Sequence, residues 1–272
     1  MQELESVRVG LALSGGSVRG LAHIGVYKAL TEAGIRPSII SGTSAGSIIG
    51  AGIAAGMSWR ALERLARAVF WPKLLDGETL ERFCERHLPR HFSDLRLPFA
   101  AVATALPRRR AVALTSGSLA SAISASCAMR VIRGRVRRAG QVLKDGGIAC
   151  ALPAGACRQL GADFVVSSDV WELSALLRTM GLDTAHPRAH RLYPAHYRRA
   201  IRHTNLLIQP RVPWAGYWPG EAGGQRMIEA GERAARQALE IGLVTRSSEP
   251  SERPPHARPR TKPGAHWFES RR

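Results

Sequence analysis

A glycine-flanked serine directly after an apolar segment is the feature that most constrains the fold of this chain. The apolar run Ile35 to Ile40 ends in Gly42-Thr43-Ser44-Ala45-Gly46 and is followed by small apolar residues. This order predicts a strand that turns sharply into a helix, because glycine lacks a Cβ and lets two backbones approach closely. The helix N-terminus would favour a developing negative charge beside the Ser44 hydroxyl. Ser44 is therefore a candidate nucleophile in an elbow formed by Gly42 and Gly46, whereas an ordinary Gly/Ser turn is the alternative.

A second glycine-rich segment lies upstream. The run Val7 to Leu13 ends in Ser14-Gly15-Gly16-Ser17-Val18-Arg19-Gly20, after which apolar residues recur at helical spacing. A strand, a glycine turn and a helix in that order expose successive N–H groups to a phosphate or to an oxyanion. A dinucleotide site also needs an acidic residue about 20 positions on. The next predicted strand ends at Ile40-Ser41 without one, which favours the oxyanion interpretation.

The third motif is Lys144-Asp145-Gly146-Gly147, in which Asp145 is the only acidic residue between Asp94 and Asp163. A serine hydroxyl needs a base to become a good nucleophile, and burial raises the pKa of a carboxyl group toward the range that a base requires. Taken alone, this segment is typical of a solvated hairpin turn. In combination with the other two motifs, it predicts that Asp145 is the base.

The three motifs, in this order, resemble the patatin-like phospholipase family and especially its short bacterial members. The likeness covers roughly Val7 to Leu243. It implies a three-layer α/β sandwich with a mostly parallel central sheet, and a serine acyl hydrolase with a Ser-Asp dyad and no catalytic histidine. Carried over to this sequence, Ser44 is the nucleophile and Asp145 is the base. The resemblance also assigns Gly146 and Gly147 to the base loop, and it assigns to the oxyanion loop Gly15, Gly16, Ser17, Arg19 and Gly20.

Two positions depart from the family pattern. Ser17 stands where relatives usually have a third glycine, so its amide can face an oxyanion only if a residue with a Cβ adopts the required backbone conformation. Arg130 stands where relatives usually have a proline, four residues after Ser126. We expect these changes to affect the oxyanion loop and the wall of the acyl pocket.

Alternating strand and helix patterns indicate the α/β class and one domain over residues 1–245. The expected strands are Val7 to Leu13, Ile35 to Ser41, Leu97 to Thr104, Ala111 to Leu114, Phe164 to Val170 and Leu206 to Gln209. The expected helices are Gly20 to Ala33, Ser44 to Ala55, Trp59 to Val69, Thr79 to His87, Ser118 to Ala128, Pro153 to Leu160 and Glu221 to Ile241. Residues 246–272 are rich in Pro and Arg, which predicts a disordered tail.

The segment from Trp171 to His203 carries Leu, Met and Tyr residues among arginines and histidines. A lid or membrane-facing cap is one interpretation of this composition. The other is a helical excursion packed on the sheet, which the helical spacing of the apolar residues favours.

The chain is strongly basic, with 39 Lys and Arg residues against 21 Asp and Glu and a net charge of +18. This charge favours nucleic acid or an anionic membrane as a partner. The sequence shows no RNA-binding signature beside the arginines, which disfavours nucleic acid. Two clusters flank the predicted site and predict contact with anionic lipid, the alternative being a solvated basic face. They are Arg108 to Arg110, in an expected turn between two strands, and Arg130, Arg133, Arg135, Arg137 and Arg138.

The start of the sequence lacks a basic and apolar leader, and no stretch approaches ~20 apolar residues, so we expect a cytoplasmic protein with peripheral membrane contact. The four cysteines lack metal or disulfide spacing, and no cofactor or metal is expected. An acyl ester or lipid is the expected substrate, of the phospholipase A or lysophospholipase type. Two alternatives remain, namely an α/β-hydrolase esterase with a Ser-Asp-His triad that uses His203, and a catalytically degenerate binding module.

Overall fold

A computed structural model of the chain describes residues 7–68, 77–128, 136–182, 191–212 and 220–247. Within these ranges the chain forms an eight-stranded sheet. Its strands are β1 (Val9–Leu13), β2 (Ile39–Thr43), β3 (Phe99–Leu106), β4 (Arg110–Leu114), β5 (Val136–Arg138), β6 (Gln141–Asp145), β7 (Phe164–Ser168) and β8 (Leu206–Ile208).

Helices connect and cover these strands. The α-helices are α1 (Ala22–Glu32), α2 (Ala45–Ala54), α3 (Trp59–Ala68), α4 (Gly77–His87), α5 (Leu119–Ser126), α6 (Ala154–Gln159), α7 (Glu172–Thr179), α8 (Ala195–Arg202) and α9 (Gly220–Ser247). Short 3₁₀ turns occur at Ser17–Leu21, Phe92–Asp94 and Gly146–Ile148.

The sheet has helices on both faces. Its strands lie in the order β5, β6, β3, β2, β1, β7 and β8, and β4 pairs with β3. The neighbouring strands β3, β2, β1, β7 and β8 run parallel. Leu11 and Leu13 of β1 pack with α1, α2 and α9, whereas Ala12 between them packs with α6, α7 and α8. Because successive strand side chains point to opposite faces, these two clusters form separate layers around the sheet. The predicted α/β class is confirmed.

The pairing of β3 determines which residues meet at the end of β2. Val102 pairs with Thr43 of β2 and, on its other edge, with Ala113 of β4. The next residue, Ala103, pairs with Val112 of β4 and with Asp145 of β6. Strands β2 and β6 therefore share one edge of β3, end to end, which brings Asp145 to the place where β2 ends.

Helices α1 and α9 pack at backbone contact. A Cβ added at Gly25 would lie 1.8 Å from the Ile228 carbonyl oxygen, and one at Gly231 would lie 1.9 Å from the Ala22 carbonyl oxygen. Only glycine permits so close an approach at these two positions. An ion pair between Lys28 of α1 and Glu232 of α9, 2.8 Å apart, also joins the two helices.

The sequence predicted the larger elements to within a few residues but not all of them. Strands β5 and β6 were not expected, because they are short and partly polar. The expected helix from Gly20 begins instead as a 3₁₀ turn. Arg108 and Arg109 lie in the turn between β3 and β4, as predicted, whereas Arg110 is the first residue of β4. Helix α9 continues to Ser247, and the rest of the expected tail, residues 248–272, lies outside the described ranges.

The segment from Trp171 contains α7 and α8, which pack on the sheet through Leu177, Tyr193 and Tyr197. A buried carboxylate joins these helices to the end of β7. Asp169 accepts hydrogen bonds from the Trp171 N–H (3.0 Å), the Tyr197 hydroxyl (2.6 Å) and the Gln209 side chain (3.0 Å). Three donors compensate the burial of this charge.

We predict that Tyr197→Phe lowers the free energy of unfolding by about 1.5–3 kcal/mol, because it removes a hydrogen bond to a buried carboxylate. Tyr193→Phe is the matched control, since its hydroxyl donates to the Leu182 carbonyl at 3.4 Å and its ring stacks on Tyr197. Urea unfolding of both variants should show the smaller loss for Tyr193→Phe. Equal losses would mean that the charge of Asp169 does not strengthen the bond.

Candidate active site

Ser44 lies at the turn between β2 and α2 in a strained backbone conformation. Its φ of 51° and ψ of −124° place a residue with a Cβ in a region that few such residues adopt. Hydrogen bonds at both ends of the residue hold this conformation. The Ser44 N–H donates to Ser126 Oγ at 2.9 Å, and the Ser44 carbonyl accepts from the Ser47 N–H (2.7 Å) and hydroxyl (2.6 Å).

The glycines on either side of Ser44 allow three backbones to meet. A Cβ at Gly42 would lie 2.3 Å from the Gly46 carbonyl oxygen, and a Cβ at Gly46 would lie 2.3 Å from the Leu13 carbonyl oxygen. Neither position has room for a side chain, so the elbow is pressed against the end of β1. This contact places the glycine-rich segment after Leu13 beside Ser44. Gly15 is so close that a Cβ added there would lie 3.5 Å from the Ser44 Cβ.

Asp145 ends β6 and is buried. One of its oxygens, Oδ1, accepts a hydrogen bond from the Gly147 N–H at 2.8 Å, and Gly146 begins the 3₁₀ turn that aims this N–H back at the carboxylate. The other oxygen, Oδ2, is buried and has no hydrogen-bond partner among the described residues. An unpartnered carboxylate oxygen in a dry site is able to accept a proton.

Burial raises the pKa of Asp145 from 3.8 to about 6, and the Glu172 carboxylate adds to the rise. The Gly147 N–H and the Ser44 hydroxyl oppose it, because both stabilise the charged form. The Ser44 hydroxyl is thus close enough to influence Asp145, although the two do not meet in the geometry of a complete hydrogen bond. Side chains that act together in catalysis are often loosely aligned in a free protein.

The segment after β1 presents backbone donors that have no acceptor within the described ranges. The N–H of Gly15 donates to the Ala151 carbonyl (3.0 Å) and that of Arg19 to the Gly16 carbonyl (3.1 Å), so these two amides are occupied. Gly16 and Ser17, at the start of the 3₁₀ turn, donate to no acceptor in the described ranges. Ser17 adopts a φ of 53°, so the serine at the third position takes the left-handed conformation that glycine would favour.

The sequence of the chain matches a family model at these same elements. The model of the patatin-like phospholipase family covers residues 11–158, from β1 to α6. The chain belongs to this family.

Relatives in the patatin-like phospholipase family differ in length. An uncharacterized NTE family protein of Mycobacterium tuberculosis is 32% identical over an alignment of 182 residues that covers 60% of this chain and 49% of that protein. A lysophospholipase of Coccidioides immitis is 34% identical over an alignment of 179 residues that covers 60% of this chain and 11% of that protein. The chain therefore spans about half the length of the mycobacterial relative and a much smaller share of the fungal one.

Two solved structures share the patatin-like fold with this chain. VipD from Legionella pneumophila aligns with a TM-score of 0.58 and 15% identity, over 86% of this chain and 67% of VipD. Human GIVD cytosolic phospholipase A2 aligns with a TM-score of 0.54 and 13% identity, over 91% of this chain and 61% of the human protein. At this identity the likeness concerns the fold.

A buried histidine that the sequence analysis did not single out connects β1 to β7. His23 Nε2 lies 2.9 Å from the Ser14 carbonyl oxygen and His23 Nδ1 lies 2.7 Å from Ser168 Oγ. Since a carbonyl only accepts, Nε2 carries the proton and Nδ1 accepts from the Ser168 hydroxyl. Burial lowers the pKa of His23 to about 4, against smaller opposing effects of the Ser14 carbonyl and Asp169. A neutral imidazole thus holds the residue that precedes Gly15.

Ser126 is a second residue whose importance the sequence did not reveal. Its hydroxyl accepts from the Ser44 N–H and donates to the Val102 carbonyl at 2.6 Å. It therefore fixes the elbow to β3. Helix α5 also carries Ser121 and Ser124, so a polar side chain on this helix did not by itself single out Ser126.

Arg19 and Gly20 occupy the 3₁₀ turn beside the elbow. Gly20 lies against Ala45, the first residue of α2, where an added Cβ would be 2.7 Å from the Ala45 Cβ. The Arg19 guanidinium is buried and its Nη2 lies 2.7 Å from Glu172 Oε1 at the start of α7. This ion pair links the segment after β1 to α7.

His203, the candidate for a triad, lies at the end of the sheet opposite to Ser44. It follows α8 and precedes β8, its ring is 3.5 Å from a Cβ position at Gly155, and its carbonyl accepts from Arg158. The parallel strands begin at the end of the sheet where His203 lies, whereas Ser44 follows the last residue of β2. The fold does not bring His203 to Ser44.

The basic cluster before Asp145 is only partly described. Arg130, Arg133 and Arg135 lie outside the described ranges. Arg137 is exposed on β5, whereas Arg138 donates hydrogen bonds to the carbonyls of Ser116 and Ser118. Arg138 therefore supports a loop, whereas the sequence placed it in a cluster predicted to contact lipid.

We predict that His23→Leu lowers the free energy of unfolding by about 2–4 kcal/mol, because it leaves the Ser14 carbonyl and the Ser168 hydroxyl buried without this partner. His23→Gln should lose clearly less, since an amide offers one donor and one acceptor. Urea unfolding compares the two. Equal losses would show that the ring is retained for its packing alone.

A second prediction concerns the cost of the buried charge. At a pH well below 4 the folded and unfolded chains both keep the Asp145 proton. Between pH ~4 and pH ~6 only the unfolded chain loses it, so above pH ~6 the folded protein has lost about 3 kcal/mol relative to the unfolded chain. Asp145→Asn carries no such cost. Its melting temperature should therefore exceed that of the wild type at pH 8, and the difference should shrink toward pH 4. A less stable variant at pH 8 would mean that the fold favours the ionised carboxylate.

Proposed function

We propose that this chain is a lipid acyl hydrolase of the phospholipase A or lysophospholipase type, with Ser44 as the nucleophile and Asp145 as the base. The observation that carries the proposal is the pairing of a strained serine with a buried carboxyl group whose second oxygen is unpartnered. Membership of the patatin-like phospholipase family and the name of the fungal relative support the lipid substrate.

The chemistry follows from the placement of these groups. As Ser44 Oγ attacks the ester carbonyl carbon, its proton passes to Asp145 Oδ2, and the carbonyl oxygen becomes an oxyanion. The free N–H groups of Gly16 and Ser17 and the N-terminus of α2 are the donors that would stabilise it. When the intermediate collapses, the alcohol leaves with the proton from Asp145. A water molecule then attacks the acyl carbon and gives a proton to Asp145, which passes it to Ser44 Oγ as the acid leaves.

The remaining oxyanion-loop residues support this geometry without donating to the substrate. Gly15 is fixed by its bond to Ala151, and Gly20 allows the loop to contact α2. Arg19 contributes a buried positive charge that Glu172 partly neutralises. We expect Arg19 to favour the negative charge that develops at the neighbouring ester.

The substrate would be reached at a membrane surface. No helix in the described ranges combines the length and the apolar character needed to cross a bilayer. Peripheral contact with anionic lipid is consistent with the net charge of +18 and with the exposed Arg137 on the strand that precedes β6.

Ser44→Ala and Asp145→Asn should each reduce ester hydrolysis by about 10³-fold or more, and the double variant should be little worse, because residues that act as a unit are not additive. Fluorophosphonate labelling should locate the probe on Ser44. His203→Ala is the matched control and should retain activity. Strong activity in Asp145→Asn, together with loss in His203→Ala, would favour the triad mechanism instead.

The pH dependence tests the base independently. Since Asp145 must be ionised to accept a proton and burial raises its pKa to about 6, kcat/KM for a soluble ester should rise as the pH increases through that value. A profile that is flat from pH 5 to pH 8 would contradict the assignment of Asp145 as the base.

A further inference from the structure

The exposed apolar side chains of this protein are concentrated beside the candidate active site. Six large apolar residues in the described ranges are well exposed. Val7 and Ile241 lie away from the site, whereas the other four belong to the elements around it. These four are Ile148 (42% exposed), Leu176 (57%), Met180 (64%) and Leu192 (52%).

Helix α7 carries two of the four on one face. Glu172, Leu176 and Met180 are four residues apart, and the Met180 N–H lies 3.3 Å from the Leu176 carbonyl oxygen, so the helical turn extends to Met180. Residues with this spacing share one face of a helix. The rest of the helix is packed, since Ser174, on the side opposite Leu176, is buried and Leu177 belongs to the core between α7 and α8. The exposed stripe is therefore not needed to attach the helix.

The stripe begins at the active site. Glu172, at its first position, pairs with Arg19 of the 3₁₀ turn, and its charge contributes to the raised pKa of Asp145. Ile148 stands three residues after Asp145, at the end of the base loop. Exposed apolar side chains thus lie on two elements that are connected to the candidate site, the base loop and α7.

The charge beside this stripe favours one partner. The segment 191–212, which includes α8 packed against α7, contains five arginines and no acidic residue. Exposed members include Arg191, which is next to the exposed Leu192, and Arg199. A second copy of this chain would bring a like charge against these arginines, whereas an anionic bilayer attracts them and accepts the apolar side chains.

We propose that the stripe of Leu176 and Met180 on α7, with Leu192 and Ile148 beside it, inserts into the surface of an anionic membrane and orients the Ser44 site toward lipid. This inference rests on the proposed function for its choice of a lipid partner. It also assigns the segment from Trp171 two roles, since its buried face packs on the sheet and its exposed face contacts the bilayer.

The test compares two double variants of the full chain. Leu176→Ser with Met180→Ser removes the stripe, and Val7→Ser with Ile241→Ser removes an equally exposed pair elsewhere. Val7 precedes β1, at the end of the sheet where the parallel strands begin. Ile241 lies on α9 after Arg236, and Arg236 pairs with Glu32 at the C-terminal end of α1. Co-sedimentation with phosphatidylcholine vesicles, with and without phosphatidylglycerol, measures binding.

We expect the stripe variant to bind the anionic vesicles about tenfold more weakly than the wild type, and the control variant to bind within about twofold. Turnover of a soluble p-nitrophenyl ester should be unchanged in both, because neither pair contacts the reacting groups. Equal binding of the two variants would overturn the inference. Loss of a dimer in sedimentation velocity, confined to the stripe variant, would overturn it in favour of self-association.

The outcomes separate this inference from the proposed function. Ser44→Ala should bind vesicles like the wild type and hydrolyse neither lipid nor soluble ester. A wild-type protein that binds through the stripe but shows no hydrolysis would refute the catalytic proposal alone. A wild-type protein that hydrolyses the soluble ester but does not bind anionic vesicles would refute the membrane inference alone.

Discussion

The end-to-end arrangement of β2 and β6 along one edge of β3 is the constraint on which the candidate site depends. Thr43 and Asp145 pair with consecutive residues of β3, so the last residue before the elbow and the proposed base occupy neighbouring positions. The strands run in opposite directions, and both end at this point. A shift of β6 by one residue would turn Asp145 to the other face of the sheet. The chemistry is thus set by backbone pairing before any side chain is chosen.

The site combines two costs that oppose folding. Ser44 adopts a backbone conformation that is unfavourable for a residue with a Cβ, at roughly 1–3 kcal/mol, and Asp145 is deprived of solvent. The strain at Ser44 is offset by a hydrogen bond to the distant Ser126, whereas the Asp145 carboxylate accepts one hydrogen bond from the neighbouring Gly147 N–H. Stability is lost here in favour of a hydroxyl and a carboxylate that are poised to exchange a proton.

Local sequence patterns were sufficient for β1 and β2, whose apolar residues precede glycine turns, but not for β6. They also indicated Ser44 and Asp145 as the candidate reacting residues, because both stand in short motifs with glycines. The supporting residues were not predictable in this way. The partners of His23 lie 9 and 145 residues away in the chain. Those of Ser126 lie 24 and 82 residues away, and the side-chain partners of Asp169 lie 28 and 40 residues away. The occupied amide of Gly15 likewise depends on Ala151, which only the folded chain brings near.

The glycine contact between α1 and α9 has a consequence for the boundaries of the fold. The region that the family model matches ends at residue 158, yet α1, which carries His23, is covered by a helix that begins at Gly220. The sheet also continues beyond that boundary, since β1 lies between β2 and β7. A fragment that stopped at the end of the matched region would expose one edge of β1 and the inner face of α1. We therefore expect the region that carries the shared motifs to depend on β7 and α9 for its stability.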